Sequence, residues 1–120
     1  MGFRNTLVAA WAAASVCGLV ACGSSQSPPP AASLDVNVTI AKGQVTPTNA
    51  TLQAKLKQQI VLHVTSDATD ELHVHSVPDH KFEVAAAPNQ TFQFSVDVPG
   101  KVDVELHHLK RTIATIQIQL

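Results

Sequence analysis

The segment Pro99-Gly100-Lys101-Val102-Asp103-Val104-Glu105-Leu106-His107 alternates between polar and apolar side chains after a turn-forming Pro-Gly pair. A period of two predicts a β-strand with one face on a core and the other in solvent. Further segments of residues 34–120 repeat this period, and turn-forming residues separate them. Their apolar positions are Val36, Val38 and Ile40; Leu52, Ala54 and Leu56; Ile60, Leu62 and Val64; Leu72 and Val74; Phe82, Val84 and Ala86; Phe92, Phe94 and Val96; and Ala114, Ile116, Ile118 and Leu120. About eight short strands predict an all-β sandwich or barrel with one core.

The N-terminal part of the chain, residues 1–33, differs in composition from the alternating segments. Arg4 precedes an apolar run over residues 7–20, which ends in Leu19-Val20-Ala21-Cys22. This ending resembles the lipobox of bacterial lipoproteins, which implies that residues 1–21 are a signal peptide and that Cys22 carries a lipid. An uncleaved transmembrane helix is the alternative, but roughly fifteen apolar residues are fewer than the about twenty that span a bilayer.

Residues 22–33 are rich in Ser, Pro, Gly and Ala and include three consecutive prolines. This composition cannot bury enough apolar surface to fold, and it predicts a flexible tether ahead of a domain at residues 34–120. The lipoprotein resemblance implies more than one acyl chain on Cys22, and two or more chains anchor a protein stably. We therefore expect the domain in the bacterial cell envelope, outside the cytoplasm, with the membrane as a partner.

Composition argues against several partners and reactions. Lys and Arg number 8 against 9 Asp and Glu, and the chain has no Tyr. Nucleic-acid binding is not expected, because it needs a basic excess to displace counterions or aromatic platforms to stack on bases. If Cys17 leaves with the signal peptide and Cys22 holds the lipid, no thiol is left for a disulfide or a nucleophile.

Three segments carry a resemblance to a known family. They are Asp70-Glu71-Leu72-His73-Val74-His75, the segment quoted first, and Thr112-Ile113-Ala114-Thr115-Ile116-Gln117-Ile118. They resemble the cupredoxin-like domain of small bacterial envelope lipoproteins, which implies a Greek-key β-sandwich. Cupredoxins hold one copper ion with a His in the first segment and a Cys, a His and a Met around the second. Leu106 stands where the Cys is expected, and Met1 is the only methionine, so a type 1 copper centre is not expected.

The histidines are candidate ligands for a metal site of a different kind. His73 and His75 lie two residues apart on a predicted strand and so face the same way. The resemblance places His107 and His108 near the end of that strand, while His80 follows in the intervening loop. These imidazoles predict Cu(II) or Zn(II) binding for metal buffering or delivery, with His73, His75, His107 and His108 as the candidate ligands. The other interpretation is that they are solvated residues of amphipathic strands.

The resulting functional hypothesis is a lipid-anchored accessory or binding module with an unidentified ligand or protein partner, and metal binding is its alternative. The His-Val-His segment also resembles copper-zinc superoxide dismutases, but this domain has few glycines and no spare cysteine for their disulfide. No Gly-x-Ser-x-Gly segment supports a serine hydrolase. We therefore expect no enzyme. His63, which faces away from Leu62 and Val64, is predicted at the surface.

Overall fold

The structure is a computed structural model that describes residues 32–120 and contains nine β-strands. The strands are β1 (Leu34–Ala41), β2 (Gln44–Thr46), β3 (Ala50–Lys55), β4 (Ile60–Ser66), β5 (Asp70–His75), β6 (His80–Val84), β7 (Gln90–Phe94), β8 (Gly100–Leu106) and β9 (Arg111–Gln119). The predicted signal peptide, Cys22 and most of the predicted tether lie outside the described residues. Within residues 32–120, no helix has the length and apolar character needed to cross a membrane.

The strands form two sheets that face each other across one core. One sheet has the order β2-β1-β4-β7 and the other has the order β3-β9-β8-β5-β6. β1 pairs in parallel with β4, and β3 pairs in parallel with β9, whereas the other neighbours are antiparallel. The chain changes sheet repeatedly, for example from β2 to β3 and from β3 to β4. The predicted all-β, Greek-key sandwich is confirmed.

The core consists of apolar side chains, which face inward because they alternate with polar side chains along the strands. Val38, Leu62, Leu72 and Val104 are each at most 1% exposed. Burying one such side chain stabilises the fold by about 1.5 to 3 kcal/mol relative to leaving it in water. A shift of one residue in strand pairing would expose a whole row of them, so the alternation also fixes the register of the strands.

Two details of the strand pattern differ from prediction. β2 is an additional strand of three residues in which only Val45 is buried, so it is too short to show the alternation. Ala86 and Leu120 were predicted to face the core, but both are exposed because β6 and β9 end before they are reached. By contrast, the strand predicted around Leu52 and Ala54 is present as β3.

The two ends of the sandwich carry different loops. The proximal end is the one at which the chain enters β1, and the distal end is opposite to it. Backbone hydrogen bonds join the proximal loops, since Leu34 N–H donates to Gln59 O at 2.9 Å and Asp97 N–H donates to Val77 O at 2.8 Å. The proximal loops are residues 56–59, 76–79 and 95–99, and the distal loops are residues 42–43, 47–49, 67–69, 85–89 and 107–110.

Candidate functional site

His73 and His75, here called the strand pair, lie together on the outer face of the five-stranded sheet. Because both belong to β5 and are two residues apart, their side chains leave the same face of the strand, as predicted. Their ring centroids are 3.9 Å apart and their planes are tilted by 43°. The site is open to solvent on one side, but the His73 side chain is only 21% exposed.

Each imidazole of the strand pair has its own carboxylate partner. His73 Nε2 donates to Asp79 Oδ1 at 2.7 Å, and His75 Nε2 donates to Glu105 Oε2 at 3.1 Å. The hydrogen bond from His73 holds the pKa of Asp79 below its ordinary value, and the charges of His73, Lys81 and His75 act in the same direction. The two neighbouring imidazoles of the strand pair therefore lie between two carboxylates, in the order Asp79, His73, His75 and Glu105.

Glu105 contacts His75 diagonally across the pairing of β5 with β8. Glu105 on β8 lies directly opposite His73, and Asp103 lies opposite His75. A β-bulge between Val104 and Glu105 interrupts the pairing of β8 with β9. Glu105 reaches diagonally to His75, while Asp103 accepts a hydrogen bond from the Thr115 hydroxyl at 2.7 Å. The two carboxylates of β8 thus have different partners although they share one face.

His107 and His108, here called the turn pair, lie in the distal turn between β8 and β9. Their backbones are engaged: His107 N–H donates to Glu71 O at 2.8 Å, and His108 N–H donates to Asp70 Oδ1 at 2.8 Å. Their ring centroids are 6.0 Å apart. The nearest carboxylate to the His108 ring is Asp70, at 4.0 Å from Nδ1, which is too far for a hydrogen bond.

Asp70 is the residue that fixes this turn, and no local pattern in the sequence points to it. Its side chain is 5% exposed and its carboxylate accepts three backbone N–H groups. The donors are Glu71 at 2.7 Å, His108 at 2.8 Å and Leu109 at 3.0 Å. Because two of the donors lie far away in sequence, only the pairing of β5 with β8 reveals the contact.

The remaining histidines occupy separate environments. His80 begins β6, donates from Nε2 to Ser95 O at 3.2 Å, and has its ring 5.5 Å from the Phe94 ring. His63 is exposed on the other sheet, as predicted. Of the four predicted metal ligands, the structure thus brings together the strand pair and leaves the turn pair at the distal end. Nowhere in residues 32–120 are three or more His, Cys, Asp or Glu side chains arranged to hold a metal ion.

Comparison with solved structures identifies the type of fold. No protein-family model matches the chain, and no curated protein matches it in sequence. Among solved structures, the multicopper oxidase mgLAC aligns with a TM-score of 0.54 and 12% identity, covering 73% of this chain and 39% of that one. A reduced Cu(I) form of an amicyanin variant aligns with a TM-score of 0.50 and 14% identity, covering 73% and 85%. The domain has a cupredoxin-like fold.

The cupredoxin-like fold raises the question of type 1 copper, whose electronic structure depends on a cysteine thiolate. Leu106, at the position where the resemblance places that cysteine, is 1% exposed and pairs with the buried Leu72. Residues 32–120 contain neither a cysteine nor a methionine. The donor groups of this domain therefore do not fit a type 1 centre at that position.

Proposed function

We propose that this chain is a lipid-anchored accessory module of the bacterial cell envelope, which acts outside the cytoplasm without type 1 copper and without catalysing a reaction. The observation that carries the proposal is the buried Leu106 in a thiol-free cupredoxin-like domain. The fold supplies a rigid sandwich with exposed loops at both ends, which suits a binding role. The lipobox-like segment Leu19-Val20-Ala21-Cys22 supports the anchor.

Visible spectroscopy of the processed, lipidated protein tests the copper part of the proposal. Cu(II) is added in equimolar amount and the absorption spectrum is recorded. Because the intense blue band arises from a thiolate bound to copper, we expect no such band. Its appearance would show that a thiolate reaches the metal and would refute this part of the proposal.

Metabolic labelling with radioactive palmitate tests the anchor. We expect the wild-type protein to incorporate label, and Cys22→Ser to abolish the incorporation. Cys17→Ser is the matched control, because the lipobox resemblance places Cys17 in the removed segment, and this variant should label like the wild type. An unlabelled wild-type protein, or equal labelling of the Cys22→Ser variant, would contradict lipidation at Cys22.

Binding of Cu(II) or Zn(II) for buffering or delivery is the second candidate function, and the 3.9 Å separation of the strand-pair rings favours it. Imidazole suits both ions, and Asp79 and Glu105 are carboxylates already within hydrogen-bonding distance of the pair. Since each Nε2–H already donates to a carboxylate, a metal would bind at Nδ1, and Asp79 and Glu105 would then orient the two rings. The turn pair, His107 and His108, is the alternative location of the ligands.

Isothermal titration with each metal ion separates the two locations. If the strand pair binds metal, the His73→Ala/His75→Ala variant should lose at least about tenfold in affinity, which corresponds to about 1.4 kcal/mol. The His107→Ala/His108→Ala variant is the matched control and should bind like the wild type. Equal affinity of all three proteins would remove the strand pair as a metal site.

A further inference from the structure

Two exposed valines form an apolar surface feature that the proposed function does not account for. Within residues 32–120, the large apolar side chains that are strongly exposed are Val77 at 59%, Val98 at 47% and Leu120, the last residue of the sequence. Val77 lies in the loop between β5 and β6, and Val98 lies in the loop between β7 and β8. Both loops belong to the proximal end, so the exposed apolar surface is confined to one end of the sandwich.

The two loops form one surface, here called the valine patch and defined by Val77 and Val98. The hydrogen bond from Asp97 N–H to Val77 O joins them, and a shallow cavity of about 230 Å³ lies between them. Ser76 Oγ donates to Pro78 O at 2.7 Å, and Asp79 is held by His73. The patch is therefore fixed in place, so that docking would require little ordering of these loops.

The chain enters the domain at the same end. Ala32 O accepts a hydrogen bond from Gln58 Nε2 at 2.7 Å, and Leu34 N–H donates to Gln59 O. Ala32 lies ten residues after Cys22 in sequence, and a flexible coil of that length has a root-mean-square end-to-end distance of about 17 Å. An anchor at Cys22 would therefore keep the proximal end, rather than the distal end, close to the bilayer.

We propose that the valine patch docks the domain on the bilayer that carries its lipid anchor. This inference rests on the proposed lipidation of Cys22. A short tether raises the effective concentration of the patch at the membrane to the order of millimolar, so that a weak apolar contact is sufficient for docking. The proximal loops and the start of β8 carry charges of both signs, so the contact depends on apolar burial and persists at high salt. The charged residues are Lys57, Asp79, Asp97 and Lys101.

Fluorescence quenching in the membrane tests the docking. If Cys22 is lipidated and Cys17 removed, an introduced cysteine is the only free thiol of the mature protein and can be labelled selectively. A probe at Lys101→Cys reports beside the patch, and a probe at Ala86→Cys reports at the distal end. The lipidated proteins are placed in phosphatidylcholine vesicles that carry spin-labelled lipid, and emission is recorded with and without high salt.

Docking predicts quenching of the probe at position 101, no quenching at position 86, and no loss of the difference at high salt. Adding Val77→Ser and Val98→Ser to the Lys101→Cys protein should abolish the quenching, and far-ultraviolet circular dichroism checks that this variant is folded. Equal quenching at both positions, or none at either, overturns the proposal. A probe at position 101 that is shielded from water but not quenched by lipid would mean that a second copy of this chain covers the patch, and would overturn the proposal too.

Palmitate labelling of the same preparations is read independently of the quenching. If the protein is labelled but its probes stay in water, the proposed anchor stands and the docking proposal fails. An unlabelled protein contradicts the proposed anchor itself, and the docking inference fails with it.

Discussion

The strand pair on β5 and the turn pair, which follows the neighbouring strand β8, contain the same residue type, yet different groups of these histidines form the hydrogen bonds. In the strand pair the side chains are engaged, because His73 and His75 each donate to a carboxylate. In the turn pair the backbones are engaged, because the N–H groups of His107 and His108 donate to β5. Residue type alone therefore does not identify a site: what matters is which groups of a histidine already have partners.

The two arrangements also differ in what they stabilise. The hydrogen bonds of the strand pair lie on an open sheet face, where solvent competes for the same groups. The turn pair depends on the buried carboxylate of Asp70, where no water replaces a lost partner. We therefore expect Asp70 to contribute more to stability than either pair of imidazoles.

Asp70→Ala is the substitution with the largest expected effect on this contrast. It removes the acceptor of three backbone N–H groups and should lower the free energy of unfolding by about 3 kcal/mol. Urea unfolding followed by circular dichroism measures the change. Asp70→Asn keeps one acceptor oxygen and should lose less. A loss within experimental error for Asp70→Ala would show that the turn does not depend on this carboxylate.

Local sequence patterns predicted the arrangement of the strand pair but not the contacts of Asp70 that hold the turn pair. The alternation around Leu72 and Val104 predicted the sandwich, because burial on a strand follows a period of two that is written in consecutive residues. The same rule placed His73 and His75 on one face. The contacts of Asp70 with the N–H groups of His108 and Leu109 depend instead on strand pairing between distant segments, and no local period predicts them.

The proximal loops show the same limit of prediction. Val77 and Val98 lie outside strands, so a period of two carries no information about their exposure. Their proximity follows from the way that β5, β6, β7 and β8 are distributed between the sheets. Likewise, β2 is too short to repeat a pattern, and its existence depends on pairing with β1.

The double alanine variants of the two pairs should have intermediate effects on stability, and they compare the two pairs directly. His73→Ala/His75→Ala removes two hydrogen bonds to carboxylates and should destabilise the domain by about 1 kcal/mol. His107→Ala/His108→Ala leaves the backbone hydrogen bonds in place and should change stability by no more than about 0.5 kcal/mol. Urea midpoints of the two variants give the difference. The reverse order would mean that the turn-pair imidazoles hold the distal end.

The smallest expected effect is a pH dependence of the contact between His73 and Asp79. The hydrogen bond from His73 lowers the pKa of Asp79 from its ordinary value of 3.8, so the native state binds this proton less readily than the unfolded chain does. The contribution of Asp79 is therefore complete above the ordinary value and disappears as the pH falls through the lowered one. Urea midpoints of the wild type and Asp79→Asn should differ slightly at neutral pH and converge in acid.

A double-mutant cycle with His73→Ala isolates this contact from the other charges near Asp79. In the His73→Ala background, Asp79→Asn should have a smaller effect at neutral pH, because the largest cause of the lowered pKa of Asp79 is gone. Lys81 still acts on the carboxylate in that background, so a small residual difference is expected. An unchanged effect of Asp79→Asn would show that the 2.7 Å contact contributes nothing to stability, and that the His73 imidazole is as unconstrained as those of the turn pair.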